Sequence, residues 1–463
     1  MTHHNSYQSP FSWRYGSSTM RGIWSEVHKR TLWRRLWVAL AEAQAIEGLV
    51  TESQLAELRS NMDNIDIDAA LAIEAEIHHD LMAEVHVFAS QCPTAGGIIH
   101  LGATSMDIED NAEALRLREA LRLVMNGVKT LLLTLCQRME QWADQACMGF
   151  THIQPAEPTT IGYRLAQYAQ DLLTDWHELQ HIHSQIRGKG LKGAVGTSAS
   201  YGELITDSQA LEDRIMNAIG LPAFMVATQT YPRKQDWLIL NTLAGVAGSI
   251  YKFALDLRLL QSPPIGEWAE PFGAKQVGSS AMPFKRNPIR AERLCSLGRQ
   301  VAALPRTMWD NAAHSMLERT LDDSANRRTV LPEAFLATDE MLRLATSIIE
   351  DLRVNLEAVQ RNLRTYGTFS AVERVLMALG RAGADRQAMH EVLREHSMAA
   401  WQVVAQGDEN PLIERLMQDT RLMEHLNSTQ IAALMDASDY IGDAPQRTRQ
   451  LIHVIRQTLE EAS

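Results

Sequence analysis

The stretch Gln235-Asp-Trp-Leu-Ile-Leu-Asn-Thr-Leu-Ala-Gly-Val-Ala-Gly-Ser-Ile-Tyr-Lys-Phe-Ala-Leu-Asp-Leu-Arg-Leu-Leu260 decides the fold. It contains no proline and is apolar nearly all round, with Lys252, Asp256 and Arg258 confined to its second half. A helix without a polar face has to be surrounded by other helices, from its own subunit or from neighbouring ones. Its longest apolar run, Trp237 to Tyr251, is interrupted by Asn241 and is shorter than the roughly 20 residues a membrane span needs. The expectation is a central helix of a soluble bundle and assembly into an oligomer.

Working outward, proline is absent between Pro93 and Pro155, Pro158 and Pro222, and Pro332 and Pro411, leaving room for long helices. Within the first interval Leu117, Leu121, Val124, Val128, Leu131, Leu135, Met139 and Trp142 recur at spacings of three or four, which predicts one long amphipathic helix. Strand-type alternation is scarce. The reading is an all-α protein of three helical domains with a central long-helix bundle. Residues 1–104 hold shorter helices (Ser25–Glu47, Thr51–Asn61, Ile67–Phe88), 105–354 hold the long helices, and 355–463 hold shorter helices separated by Gly and Pro.

The chain has 463 residues, 45% hydrophobic and 22% charged, with a net charge of −12. That charge argues against a general binder of nucleic acid or anionic membrane, and means an anionic substrate needs a local cluster of cations. Cys92, Cys136, Cys147 and Cys295 have no metal-type spacing and suggest a reducing compartment. The polar start, Met1 to Trp13, lacks the apolar core of a signal peptide, so a soluble cytoplasmic protein is expected.

The cation cluster lies at Gly278-Ser279-Ser280-Ala281-Met282-Pro283-Phe284-Lys285-Arg286-Asn287-Pro288, followed by Arg290 and Arg293. Small residues let a hydroxyl approach a ligand, and Asn287-Pro288 reads as an N-cap with proline at the first helical position. A helix N-terminus there favours bound anions. Histidine is the usual acid or base near neutral pH, and His78-His79-Asp80, His100 and His152 sit in suggestive runs. His100 and His152 are placed at loop-to-helix junctions. His78, His79 and Asp80 are adjacent, so on one helix they point in different directions and cannot share a metal, and no metal is expected. Gly188-Lys189-Gly190-Leu191-Lys192-Gly193 fits Gly-x-Gly-x-x-Gly, but a helical stretch precedes it where a dinucleotide fold needs a strand. A turn bringing Lys192 and the 196–198 amides to a ligand stays open. In Glu318 to Arg328, Asp322 and Asp323 can hold arginines that present planar forks to phosphate or carboxylate.

Together these segments resemble the fumarase/aspartase superfamily, whose members release fumarate by β-elimination. The Gly278–Pro288 loop is similar to the superfamily signature, in the form carried by the branch acting on a succinylated purine nucleotide and on its ribotide precursor. The likeness extends through Arg14-Tyr15, His79-Asp80, His100 to Ser105, Thr151-His152-Ile153-Gln154-Pro155, Lys192-Gly193, Gln229-Thr230-Tyr231 and Glu318 to Arg328. The resemblance implies a homotetramer built on the long helices, with active sites shared between subunits, no cofactor and no metal. It leaves as alternatives another fumarate-releasing lyase or a catalytically silent relative.

By resemblance Ser279 is the base, His152 the acid that protonates the departing nitrogen, and Lys285 supports the serine. His79 and His100 orient the substrate, with His78, Asp80 and Asn287 beside them. Thr104, Ser105 and Gln229 map to succinyl or carboxylate contacts. Arg14, Tyr15, Arg293, Arg319, Ser324 and Arg328 map to the nucleotide and its phosphate. The chain departs from the pattern at His78, where Arg or Lys is usual, at Phe284 in place of Tyr, and at Tyr163, where a basic residue is frequent.

Overall fold

A computed structural model describes residues 5–273 and 275–461. In chain order the elements used below are α1 (Glu26–Ile46), α2 (Ile67–Ile77), α3 (Asp80–Gln91), α4 (Ser105–Gln141), the strands β1 (Ala146–Thr151) and β2 (Gln154–Thr160), α5 (Ile161–Gln185), α6 (Lys234–Leu260), α7 (Ile289–Ala303), α8 (Ser324–Glu350), α9 (Leu356–Arg381) and α10 (Arg386–Ala405). The protein is helical, as its patterning predicts. The chain forms two compact units, one of residues 1–128, 175–248 and 296–343, the other of 129–174, 249–295 and 344–463. Helices α4 to α8 each give residues to both.

In the first unit α1 buries Trp33, Leu36, Trp37 and Leu40, with Trp37 stacked on Phe88 of α3 at 6.2 Å between centroids. A buried cation runs through this core: Arg34 Nε donates to Glu84 at 2.7 Å. In the second unit α9 and α10 pack Val375, Leu379, Val392 and Leu393 against the helices that follow them. The predicted stripe of α4 is buried from Leu117 to Met139.

Three readings change. The expected Ile67–Phe88 helix is two helices, because His78 takes a left-handed φ of 55° and His79 caps the next one, its Nδ1 accepting from Met82 N at 3.3 Å. The chain between α4 and α5 is a β-hairpin, β1 antiparallel to β2 with a bulge between Met148 and Phe150. Its strands hold Gly149, Pro155 and Pro158, which hide any alternation. His152 therefore sits on a hairpin turn, not at a loop-to-helix junction. Helix α6 is long and apolar enough to cross a membrane by length and composition, with 44% of its most apolar window buried. Its exposed positions Leu238, Asn241, Gly245, Gly248, Lys252, Leu255 and Leu259 recur at spacings of three and four.

Candidate active site

In the first unit the floor of the site is laid by α4. Asp107, Asp110 and Asn111 interrupt its apolar face one turn apart and are all buried. Asp107 pairs with the buried Lys189 and accepts from Lys192 N, Gly193 N and Tyr201 Oη. Lys192 is itself buried against Glu212, 2.6 Å away. So the glycine-rich run 188–193 is a structural clasp on α4, and Lys192 is not offered to a ligand.

Asp110 accepts from Arg233 Nη1 at 3.0 Å and from Tyr231 N at 2.8 Å. Arg233 also donates to Asp323, 2.5 Å away, which in turn accepts from Arg319 at 2.8 Å. Arg327 bridges Asp236 and the Tyr231 hydroxyl at 2.8 and 2.7 Å. Burial works to raise the Asp323 carboxyl, but Arg233, Arg327 and Arg319 outweigh it and hold it low. Of the two acids expected to hold arginines, Asp323 does so, while Asp322 contributes a backbone carbonyl to Asn326.

On this floor stand the residues singled out in sequence. Arg328 donates to Asp80 at 2.9 Å, and Arg328 holds that carboxyl below its usual range against the effect of burial. Ser105 Oγ lies 3.4 Å from His79 Nε2, and Thr104 N donates to Asp107 at 3.0 Å. His100 Nδ1 accepts from Trp37 Nε1 at 3.1 Å, which leaves Nε2 as the donor of a neutral ring. Burial lowers the His100 pKa, with Asp107 pulling the other way. Gln229 N bonds Glu318 O at 3.2 Å, tying its loop to the arginine segment. Arg14 is exposed, its guanidinium 5.7 and 5.9 Å from the Trp13 and Tyr15 rings. His78 is exposed at its helix end.

Asp80, Arg319, Ser324 and Arg328 line one cavity of about 150 Å³. Sequence reasoning missed its other walls, among them Trp24, Lys29 and Glu109. The Arg233–Asp110 pair also went unseen. Its signal was available: acids three residues apart on the buried face of an otherwise apolar helix need cations.

The second unit carries the remaining residues. Ser279 Oγ accepts from the amides of Met282 at 3.1 Å and Ala281 at 3.4 Å. These donors favour negative charge on the oxygen, as an oxyanion site does. Lys285 is exposed on the same loop. Asn287 Nδ2 donates to Gly278 O at 3.0 Å, closing the loop's neck, and does not cap the helix. The cap of α7 is Glu270, 3% exposed, whose carboxylate accepts from Arg290 N and Ala291 N, both at 3.0 Å. That helix end already holds an anion. The helix end is therefore not free to support Ser279, whose oxygen has the loop amides beside it. Arg293 lies on α7, half-buried.

His152 and Ile153 form the turn of the β1–β2 hairpin at φ 54° and 61°. Both are exposed, and φ above zero at both centres defines the type I′ turn that favours Asn-Gly. A β-branched residue there is strained. Among the described residues, the non-glycine positions at positive φ are His78, His100, His152, Ile153, Ser198 and Leu317. Every one lies in or beside a segment the sequence had marked for chemistry, which is where such strain concentrates.

Comparison with known proteins defines the class first. The lyase family profile matches residues 13–303, and a second profile, the adenylosuccinate lyase C-terminus, matches 369–451. The fold is shared with 3-carboxy-cis,cis-muconate lactonizing enzyme from Pseudomonas putida, at TM-score 0.86 and 25% identity over 97% of this chain and 99% of that one. A fumarate lyase from Mesorhizobium sp. BNC1 matches at TM-score 0.84 and 23% identity, over 97% and 99%.

The particular family follows from the sequences. Adenylosuccinate lyase of Schistosoma mansoni is 42% identical over 89% of this chain and 88% of its own, and that of Saccharomyces cerevisiae 37% over 98% and 95%. The Archaeoglobus fulgidus enzyme of the same name is 33% identical over 97% and 99%. The chain belongs to the adenylosuccinate lyase family.

Proposed function

We propose that the protein eliminates fumarate from adenylosuccinate to give AMP, and from the succinyl-aminoimidazole-carboxamide ribotide to give the free carboxamide ribotide. Elimination removes a weakly acidic C–H beside a carboxylate, builds charge on that carboxylate, and needs the leaving nitrogen protonated. Ser279 takes the proton, its oxygen held as an anion by the amides of Ala281 and Met282 and by Lys285. His152 protonates the nitrogen. In this reading Thr104, Ser105 and Gln229 receive the succinyl carboxylates. His79 and His100 orient the substrate, and His78, Asp80 and Asn287 also contact it. Arg14, Tyr15, Arg293, Arg319, Ser324 and Arg328 receive the nucleotide and its phosphate. The observation that carries the reading is the pair of amides on Ser279 Oγ, within a chain whose family is fixed over nearly its whole length.

The same reading makes the working form a cytoplasmic homotetramer of three-domain subunits (1–104, 105–354, 355–463) whose active sites draw residues from more than one copy. The exposed stripe of α6 supports it. Gly245 and Gly248 let a second helix approach closely, and the exposed Asn241 and Lys252 suit a protein partner better than lipid. No cofactor, nucleic acid or membrane enters the scheme. Incubation with adenylosuccinate, the succinyl ribotide and argininosuccinate, following fumarate absorbance, tests it. Fumarate should form from the first two. Release from argininosuccinate alone would make the protein another fumarate-releasing lyase, and release from none would leave a silent relative.

A further inference from the structure

The 150 Å³ cavity of the first unit holds one acid without a cation of its own. Asp80 is paired with Arg328, Asp110 with Arg233, Glu113 with Arg116, and Glu26 with Lys29. Among the described residues, no hydrogen-bond or ion-pair partner reaches the carboxyl of Glu109, which rises from α4 into the same space. The charged groups lining the cavity with it are Glu26 and Lys29 from α1, Asp80 from α3, Asp110, Glu113 and Arg116 from its own helix, Arg233 and Arg319 from the turns before α6 and α8, and Arg327 and Arg328 from α8. Two donors also lie open: Arg233 is 4% exposed, yet its Nη2 is buried without a partner, as is Trp24 Nε1. A cavity with spare donors and Arg319, Ser324 and Arg328 on its wall is built for an anion.

We propose that Glu109 couples the binding of a phosphate in this cavity to the uptake of one proton, and so sets the upper pH at which a nucleotide is captured. The inference rests on the reading of Arg319, Ser324 and Arg328 as phosphate contacts. A phosphate dianion entering beside an ionised Glu109 is repelled, because every nearby cation is already engaged by another acid. Protonation removes the repulsion. The carboxylate takes one proton from solvent, and the new O–H can donate to a phosphate oxygen.

Electrostatics agree with the geometry. Burial, then Asp80 and Asp110, push the Glu109 carboxyl up to about 8, with Arg328 and Lys29 pulling the other way. Below that pH the group is already neutral and the anion enters without proton uptake. Above it, each binding event must draw a proton from an increasingly dilute supply, so affinity falls as pH rises.

The test is calorimetric titration of the full-length protein with AMP, in buffers of differing ionisation enthalpy. At pH 8.5, where the second phosphate ionisation near 6 is complete, wild type should take up about half a proton or more, and at pH 7 little. Its Kd should rise at least about fivefold between pH 7 and 9.5. In Glu109→Gln the uptake at pH 8.5 should vanish, and Kd at pH 9.5 should stay within about twofold of that variant's own value at pH 7. Glu109→Asp keeps a titrating group, so its alkaline limb should persist with a shifted midpoint. Equal uptake in Glu109→Gln overturns the proposal. Should Glu109→Gln not fold, an unmoved limb in Glu109→Asp overturns it instead. The underlying reading fails separately, if Arg328→Gln leaves AMP affinity at pH 7 unchanged.

Discussion

Arg233 and Lys285 carry the same charge in opposite settings. Arg233 is 4% exposed, fixed between Asp110 and Asp323, with its ring-facing side 4.7 Å from Tyr231. Lys285 is exposed on a loop closed at its neck by Gly278, Asn287 and Glu270. In the first unit, the cations and every acid of the cavity but Glu109 satisfy one another before any substrate arrives, so the proposed anion site is preorganised. In the second, Ser279 and His152 stand on a loop and on a strained turn with few side-chain partners. Binding and proton transfer are thus built by different means, and they should fail differently.

Removing the proposed base tests the chemical half and should have the largest effect. Ser279→Ala loses the oxygen that the Ala281 and Met282 amides hold, and turnover should fall by about 10³-fold or more. AMP affinity, which the proposal assigns to the arginine cavity, should change little in a titration. Near-normal fumarate release by this variant would remove Ser279 as the base and dissolve the contrast.

Breaking the lattice tests the other half. Asp110→Ala leaves the Arg233 charge buried with one acid fewer and frees Tyr231 N. Loss of one partner of a buried pair costs about 3–5 kcal/mol. A clear fall in the thermal midpoint is therefore expected, with turnover per folded molecule reduced less than in Ser279→Ala. An unchanged midpoint would show that the pair is not part of the supporting frame.

The two halves were also unequally legible in the sequence. Apolar periodicity gave α6 to within a residue at both ends and α4 at its C-terminal end, because one buried face repeats every three to four residues; the first turns of α4, from Ser105 to Leu117, lie outside the stripe read from sequence. The hairpin was hidden by Gly149, Pro155 and Pro158, residues chosen for a bulge and an edge, and by a turn made of His152 and Ile153 where Asn-Gly is the usual sign. The break at His78 was hidden for the same reason: a left-handed residue that is not glycine leaves no mark in composition. Individual site residues could be named from the resemblance. Their supports could not, since Asp110, Arg233 and Asp323 are far apart in sequence and meet only in the fold. The cap of α7 is a similar case. Asn287-Pro288 reads as a local cap, but a carboxylate from 20 and 21 residues earlier takes the helix amides: Glu270 accepts from Arg290 N and Ala291 N.

That cap offers a finer test of the second unit. Glu270 N donates to Gln261 Oε1 at 2.9 Å, and Gln261 Nε2 donates to Arg286 O at 3.1 Å, so one acid and one amide join both arms of the loop. Glu270→Gln keeps the shape but removes the charge facing the helix end, worth about 0.3–1 kcal/mol. If the neck positions Ser279, kcat should fall several-fold with AMP affinity retained, and Glu270→Asp should restore part of it. A change confined to KM would instead tie the neck to binding.

The smallest effect is expected at the hairpin turn, and its sign is informative. Ile153 is held at φ 61°, a conformation that costs a β-branched residue on the order of 1–3 kcal/mol. Glycine there removes the strain but adds about 0.5–1 kcal/mol of chain entropy to the unfolded state. The relief is the larger of the two, so Ile153→Gly should shift stability by about 0–2.5 kcal/mol on the stabilising side. Activity should move the other way. If His152 is the proposed acid, a freer turn lets it sample orientations away from the leaving nitrogen, so kcat should drop while AMP affinity stays constant. If kcat is unchanged in a more stable protein, the strain at Ile153 has no part in aiming His152, and the turn owes its shape to the strands alone.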